Sequence, residues 1–105
     1  MRPVSSKEKQ YRVIIEEVEV ETPNRLEFEF QDREDLFKIV EGVKQGSSLE
    51  PTDATRLAVA LRLLGPIMMK DRKHPLFVDF MPHFKSFMHN LKSTVKQTLK
   101  PTSNQ

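Results

Sequence analysis

Hydrophobic residues recur at helical spacing between Leu57 and Met69, and this stretch predicts the core helix of the fold. Steps of three and four residues place Leu57, Leu61 and Leu64 on one stripe, which Met68 continues. Further apolar residues widen the stripe on both flanks, namely Ala58, Ala60, Leu63 and Ile67. A helix that is apolar over most of its surface is buried between other elements. We therefore expect a buried central helix, covered by a sheet and by at least one other helix.

Prolines set the limits of this central helix. Pro51 suits the first turn, where the missing N–H has no partner in any case. A start one or two residues later, capped by Thr52, is the alternative. Pro66 lies inside the helical pattern and removes one backbone hydrogen bond, so we expect a kink there rather than an end. Pro75 disfavours helical geometry at His74, so the helix should end within KDRKHP, residues 70–75.

Strict alternation of polar and apolar residues over 25–31 predicts a half-buried β-strand. The apolar face holds Leu26, Phe28 and Phe30. The polar face holds Arg25, Glu27, Glu29 and Gln31. Pro23 and Asn24 supply turn residues between this strand and an earlier run rich in β-branched residues. The two runs together predict an antiparallel hairpin.

The earlier run, residues 11–20, changes phase part way along. Tyr11, Val13 and Ile15 alternate at odd positions, whereas Val18 and Val20 occupy even positions. A β-bulge or a shift near Glu16–Glu17 would restore the alternation. We therefore predict an irregularity at that point of the first strand.

One further helix is predicted between the hairpin and the central helix. Asp32 stands at its N-cap position, and Glu34 and Asp35 follow in the first turn, where carboxylates favour the positive end of the helix dipole. Gly46 marks its end. The apolar face consists of Leu36, Phe37, Val40 and Val43.

The last helix is predicted to begin at Pro82. Its apolar stripe consists of Phe84, Phe87, Met88, Leu91 and Val95. Residues 76–82 form a short apolar connection to it, of about one helical turn. The chain is therefore expected to be an α+β domain, an antiparallel β-hairpin followed by three helices, over residues 10–96. Residues 1–9 and 97–105 are expected to be flexible tails.

The strand count predicts a homodimer. A lone two-stranded hairpin is marginally stable, and it leaves two edges with unpaired backbone groups. Edge pairing between two copies, with the first strand of each at the centre, would give a four-stranded sheet. A helix or tail that covers the edge in a monomer is the competing solution.

Composition narrows the class of protein. The 105 residues include no cysteine, which excludes disulfides and thiolate chemistry and suits a reducing compartment. No apolar run approaches the roughly 20 residues that span a bilayer, and the N-terminal segment lacks the apolar core of a secretory signal. We therefore expect a cytoplasmic protein without membrane contact.

Charge is divided unequally along the chain. Residues 1–50 hold eight Lys or Arg against twelve Asp or Glu, whereas residues 51–105 hold nine against three. This asymmetry is typical of a chain with an anionic partner, but it also arises when an acidic half pairs with a basic half within a fold or across a dimer. We favour the second interpretation.

Several segments resemble a small bacterial family known as a domain of unknown function. They are YRV in the first strand, EFEF in the second, EDLFKIVE in the first helix, and LLGPIMMKDRKHPLF running to FKSFM. The likeness covers residues 10–92. Members often carry two Asp before the Leu-Phe of the first helix and no Pro after the Gly, whereas this chain has Glu34-Asp35 and Pro66. The resemblance implies a compact α+β domain and brings no catalytic or binding residues with it.

No constellation of residues predicts catalysis or a cofactor. His83 and His89 are six residues apart, so on one helix they point in different directions and share no metal ion. The hairpin glutamates fit a solvated strand face better than an acid–base pair, and the chain's three glycines form no phosphate loop. We therefore assign no catalytic, cofactor-binding or metal residue, and we do not expect an enzyme.

Aromatic residues and methionines are interpreted as core. The tract of Phe77, Phe80, Phe84 and Phe87 has the three-and-four spacing of a buried stripe rather than of a stacking surface for bases. The methionines, among them Met68, Met69, Met81 and Met88, are more typical of gap-filling than of a binding surface.

The one dense cationic cluster is Lys70, Arg72, Lys73 and His74. Cations at this place complement the negative end of the central helix, and an anion- or partner-binding role is the alternative. We expect a non-enzymatic protein-interaction or regulatory module. A weak nucleic-acid or phosphate binder, using the basic C-terminal half, is the alternative function.

Overall fold

The computed structural model describes residues 8–99. Contacts between residues divide the chain into two units, residues 1–35, which carry the hairpin, and residues 36–105, which carry the helices. Residues 1–7 and 100–105, which make up most of the two expected tails, lie outside the described residues. The expectation of a single domain over 10–96 stays a prediction.

The hairpin consists of β1 (Lys9–Glu16) and β2 (Arg25–Asp32), paired antiparallel without interruption. The pairs of directly opposed residues begin with Lys9 and Asp32 at the base of the hairpin and end with Glu16 and Arg25 near the loop. Opposed residues share a face, so the apolar side chains of both strands lie together. This face holds Tyr11, Val13, Ile15, Leu26, Phe28 and Phe30. The predicted hairpin is confirmed.

Ion pairs cover the other face of the hairpin. Arg12 approaches Glu27 at 3.2 Å and Glu29 at 3.1 Å, and Arg25 approaches Glu27 at 2.7 Å. All of these side chains are exposed to water to a third or more, so each pair contributes under about 1 kcal/mol to stability. These ion pairs therefore connect the charged side chains of the polar face but add little to the stability of the hairpin.

The predicted irregularity near Glu16–Glu17 is wrong. β1 ends at Glu16 in a regular register, and Val18 and Val20 lie in the loop, 78% and 48% exposed. Glu17 closes this loop, because its N–H donates to the Asn24 carbonyl at 3.1 Å and its carboxylate accepts from the Asn24 N–H at 2.8 Å. The change of phase in the sequence marks the end of the strand.

The first helix, α1, spans Leu36–Gly46 and begins later than predicted. Asp32 is the last residue of β2 and not the N-cap, because its carboxylate accepts from the Glu34 N–H at 2.9 Å in a turn that precedes the helix. The carboxylates of Glu34 and Asp35 therefore stand before the first turn and not within it. Leu36 and Val43 are buried as predicted.

Phe37 does not belong to the apolar face of α1 and is 72% exposed. Residues one apart on a helix diverge by roughly 100°, so a helix that buries Leu36 turns Phe37 away. The prediction included Phe37 because it lies three residues before Val40, which is also compatible with a shared face.

The central helix, α2, spans Pro51–Lys70 and continues through Pro66. The prediction that Pro66 does not end the helix is confirmed, and Pro51 rather than a Thr52-capped position begins it. Full burial follows one side of this helix, whereas half-buried residues lie around most of its middle turns. Ala54, Ala58 and Met68 are buried, Leu57, Leu61 and Leu64 are half-buried, and Ile67 and Met69 are exposed. The expected covering sheet stays a prediction.

Two helices follow, α3 (Pro75–Val78) and α4 (Met81–Leu99). The short connection of one turn is confirmed as α3, and α4 begins one residue before the predicted Pro82. Phe84 is buried, and Met88, Leu91 and Val95 continue its stripe as half-buried residues. Phe87 was predicted to lie on this stripe but is 42% exposed. The stripe runs from Phe84 in steps of four, three and four residues, and these steps do not reach Phe87.

Two apolar clusters hold the helices together. Val43 of α1 packs with Ala54 and Ala58 of α2. Met68 near the end of α2 packs with Met81 and Phe84 at the start of α4, and the half-buried Leu61, Leu64, Phe77 and Met88 surround them.

Gly46 is the last residue of α1, as predicted, but for a different reason. No glycine in the described chain has a positive φ, so Gly46 is not a left-handed cap. A Cβ atom at Gly46 would lie 2.8 Å from the Cα of Val95 and 2.9 Å from its Cγ1. Glycine is therefore needed here because α1 and α4 approach each other closely.

Gly46→Ala should lower the free energy of unfolding by roughly 1–3 kcal/mol, because the new Cβ overpacks against the backbone of α4. Gly42→Ala is the matched control, since a Cβ there meets no atom within 4 Å and should raise stability by roughly 0.5–1 kcal/mol. Denaturant melts measure both, and equal effects would contradict the close approach of Gly46 to Val95.

Met68→Ala should cost roughly 2–5 kcal/mol, since Met68 is fully buried. Its exposed neighbour supplies the control, and Met69→Ala should cost under about 1 kcal/mol. A thermal or denaturant melt in which both variants lose the same stability would show that α2 buries a different side.

Candidate functional site

The predicted cationic cluster occupies the end of α2 and the turn before α3. Lys70 is the last residue of α2, and the Asp71 N–H closes that helix by donating to the Ile67 carbonyl at 3.2 Å. Arg72 and Lys73 follow in an exposed turn. His74 caps α3, where its Nδ1 accepts from the Leu76 N–H at 3.0 Å. The four residues therefore have three different structural roles, at the end of a helix, in a turn and at a helix cap.

An open depression of about 350 Å³ lies beside this turn. Its lining residues are Arg72, Lys73, Val78, Met81, Pro82 and Lys85. Of the four predicted contact residues, Arg72 and Lys73 line it, whereas Lys70 and His74 are not among its lining residues. We call this feature the basic depression.

Lys85 also lines the depression but was not among the predicted contact residues. It lies twelve residues beyond Lys73 in the sequence, and only the packing of α4 brings it to the depression. The signal in the sequence was its position just after Pro82, since Pro82 opens a helix and places Lys85 within that helix's first turns.

The apolar part of the depression is fixed by the core. Met81 is buried in the cluster with Met68 and Phe84, and it also lines the depression. Val78 is about half exposed at the end of α3, and Pro82 follows Met81 in α4. An apolar surface therefore lies in the same depression as the cationic side chains.

The three cations of the depression, Arg72, Lys73 and Lys85, have no ion-pair partner in the described part of the chain. The six lining residues include no carboxylate, hydroxyl or imidazole. Such a set of groups favours the binding of an anion next to an apolar group.

The other candidate residues do not assemble into a site. Among the described residues, no three His, Asp or Glu side chains are grouped so as to hold a metal ion. His83 and His89 are exposed on α4. Glu27 and Glu29 pair with Arg12 on the open face of the hairpin.

The phenylalanine tract is core only in part. Phe77 and Phe84 pack into the cluster around Met68, as predicted. Phe80 and Phe87 were also predicted to be core, but both are more than 40% exposed. Phe80 directly precedes α4, and the centroid of its ring lies 5.9 Å from that of Phe84. Its side chain nevertheless stays exposed to solvent. Met69, interpreted as a gap-filler, is exposed as well.

None of the helices in residues 8–99 combines the length and the apolar character needed to cross a membrane.

Comparisons with known proteins identify the family. A search of curated proteins gave no match. A solved structure, the crystal structure of a protein of unknown function from Pectobacterium atrosepticum SCRI1043, is 40% identical in sequence, with a TM-score of 0.73. The match covers 81% of this chain and 97% of that one. The resemblance inferred from the sequence is therefore confirmed, with a bacterial protein as a structural relative.

The family profile that matches is described as a domain of unknown function with a solved structure, DUF3861, and it covers residues 9–93. This span includes both strands and all of the basic depression. The chain belongs to the DUF3861 family.

Proposed function

We propose that this chain is a non-enzymatic protein-interaction module whose basic depression binds an acidic segment of a partner protein that carries a large apolar side chain. One observation carries the proposal: three cations without ion-pair partners in the described chain line the same depression as three apolar residues, which we call its floor. Carboxylates of the partner would meet Arg72, Lys73 and Lys85, and its apolar side chain would cover Val78, Met81 and Pro82.

The shape of the depression favours a polypeptide over a small molecule. Small-molecule sites have volumes of roughly 300–1,000 Å³ and enclose most of the ligand's surface. The basic depression, at about 350 Å³, has the volume for one large side chain but is open on one side. A protein partner tolerates this openness, since one anchored side chain and a surrounding rim of charges are how interfaces distribute their binding energy.

The composition of the floor favours a protein over nucleic acid. Nucleic-acid sites of the single-stranded type combine cations with aromatic rings on which bases stack. The floor of the basic depression is aliphatic or thioether in character, from Val78, Met81 and Pro82. Phosphates alone would bind weakly and with a steep dependence on salt, as expected for a chain with a net charge of only +2. We therefore keep nucleic acid as the alternative.

The location that we propose is cytoplasmic. The support for it is the lack of cysteine in all 105 residues, which is compatible with a reducing compartment.

The peptide EEFEE, labelled with a fluorophore, is the probe for this function. Fluorescence anisotropy should show saturable binding, and Lys85→Glu should weaken it by roughly tenfold, because the variant puts a carboxylate against the acidic probe. Lys92→Glu is the matched control, with the same change of charge on an exposed position two turns further along α4. It should alter the affinity by less than about twofold.

Two control peptides separate the contribution of the apolar side chain to binding from that of the negative charges. EESEE, which lacks the apolar side chain, and KKFKK, which reverses the charges, should both bind more weakly than EEFEE. Equal weakening by Lys85→Glu and Lys92→Glu would mean that surface charge in general attracts the peptide, and the depression would not be the site. A twelve-nucleotide thymidine strand that binds more tightly than EEFEE and depends on Lys85 would favour the nucleic-acid alternative.

A further inference from the structure

We infer that the outer edge of β1 pairs antiparallel with β1 of a second copy of the chain, with Ile14 opposite Ile14 of the partner subunit. The result is a symmetric four-stranded sheet in which the two β1 strands are central. This inference concerns the hairpin alone and does not depend on the basic depression.

The edge of β1 is suited to receive a strand. Within residues 8–99 the sheet consists of β1 and β2 only, so β1 has a neighbouring strand on one side. Alternate N–H and C=O groups of a strand at such an edge point away from the sheet and need partners. Ile14 and Ile15 are 48% and 56% exposed, which is high for β-branched apolar residues in a strand. A second strand would cover both the backbone groups and these side chains.

Symmetry leaves few registers for two β1 strands. A two-fold axis perpendicular to the sheet keeps the apolar faces of both copies on the same side, and it places one residue opposite its own copy. Strands of eight residues overlap over seven residues when that residue is Arg12 or Val13, and over five when it is Ile14. The choice between these registers depends on the side chains that come to lie opposite each other.

Charge complementarity selects the register centred on Ile14. With Arg12 at the centre, two guanidinium groups face each other. With Val13 at the centre, Arg12 faces the partner's Ile14. With Ile14 at the centre, Arg12 faces the partner's Glu16 twice by symmetry, and Val13 faces the partner's Ile15 twice. Only this last register places opposite charges together and apolar residues together near the axis.

The same reasoning disfavours the edge of β2. Its charged face carries Glu27 and Glu29. Self-pairing centred on Phe28 or Glu29, the registers with the greatest overlap, sets acidic residues directly opposite acidic residues. Like charges in direct opposition destabilise a sheet. The acidic edge of β2 therefore remains the outer edge of the four-stranded sheet.

Pairing also extends the apolar face of the hairpin. Ile15, Leu26 and Phe28 are exposed on that face, and Val13 is half-buried beside them. In the inferred dimer, Val13 and Ile15 of both copies meet at the centre of one continuous apolar face. A two-stranded hairpin is marginal in water, whereas a sheet of more strands with an apolar face is stable.

Single-cysteine variants test the register, because the chain has no cysteine of its own. Under a mild oxidant, Ile14→Cys should form a covalent dimer rapidly, since residues opposite each other bring their Cβ atoms within disulfide range. Val13→Cys should react much more slowly, because Val13 is opposite the partner's Ile15. Val18→Cys, in the exposed loop, gives the rate of random collision.

Each outcome decides the matter. Rapid cross-linking of Ile14→Cys alone supports the inferred register. Rapid cross-linking of Val13→Cys instead would overturn the register in favour of the one centred on Val13. If neither variant reacts faster than Val18→Cys, and the mass in solution stays at 12.3 kDa, the inferred dimer does not exist.

A mixing experiment tests the charge pairs independently. Arg12→Glu gives a chain with two acidic residues at the interface, and Glu16→Arg gives a chain with two basic ones. Each variant alone should dimerise roughly tenfold more weakly, whereas a one-to-one mixture should form a heterodimer with near-native affinity. Effects of either substitution within its own hairpin are the same alone and mixed. A mixture that associates no better than its components would contradict the pairing of Arg12 with the partner's Glu16.

Discussion

Packing of Met68 against Met81 and Phe84 is the interaction on which the helical unit and its site depend. Met68 is fully buried near the end of α2, and its two partners lie at the start of α4. This contact holds together two stretches of chain that are separated by the exposed turn with Arg72 and Lys73. Because Met81 also lines the basic depression, the core fixes part of the floor of the site directly. A flexible thioether can fill such a junction where a branched side chain would leave gaps.

Small residues make the remaining close contacts between the helices possible. Ala54 and Ala58 let Val43 of α1 approach α2, and Gly46 admits Val95 of α4. The helical unit therefore uses small side chains where helices approach closely and methionine where they meet at the end of α2. Substitutions in the first group should overpack the unit, whereas substitutions in the second should leave cavities.

Much of the fold could be predicted because its signals are local. The alternation of polar and apolar residues around Phe28 predicted the second strand correctly. The helical spacing of apolar residues from Leu57 onwards predicted a helix that Pro66 does not end. Predictions went wrong where two local rules compete. Asp32 satisfied the pattern of an N-cap but is held in a turn by the Glu34 N–H, and Val18 continued a β-branched run beyond the end of its strand.

The site was harder to predict than the fold, because it is assembled from distant parts of the sequence. Arg72 and Lys73 were recognisable as a dense cationic run, but Lys85 joins them only through the packing of α4. A local pattern also counted His74 with the cations, although its imidazole caps α3. Periodicity identifies which face of a helix is buried, but it does not say which exposed side chains of different helices become neighbours.

The central claim is that an acidic segment with an apolar anchor binds in the basic depression, whose floor includes Met81. Nuclear magnetic resonance of methionine methyl groups tests it most directly, since Met81 lines the depression and Met69 is exposed outside its lining. On titration with EEFEE, the Met81 methyl signal should shift in a saturable manner while that of Met69 stays in place. A peptide that binds without moving the Met81 signal, or that shifts both signals equally, would contradict the account.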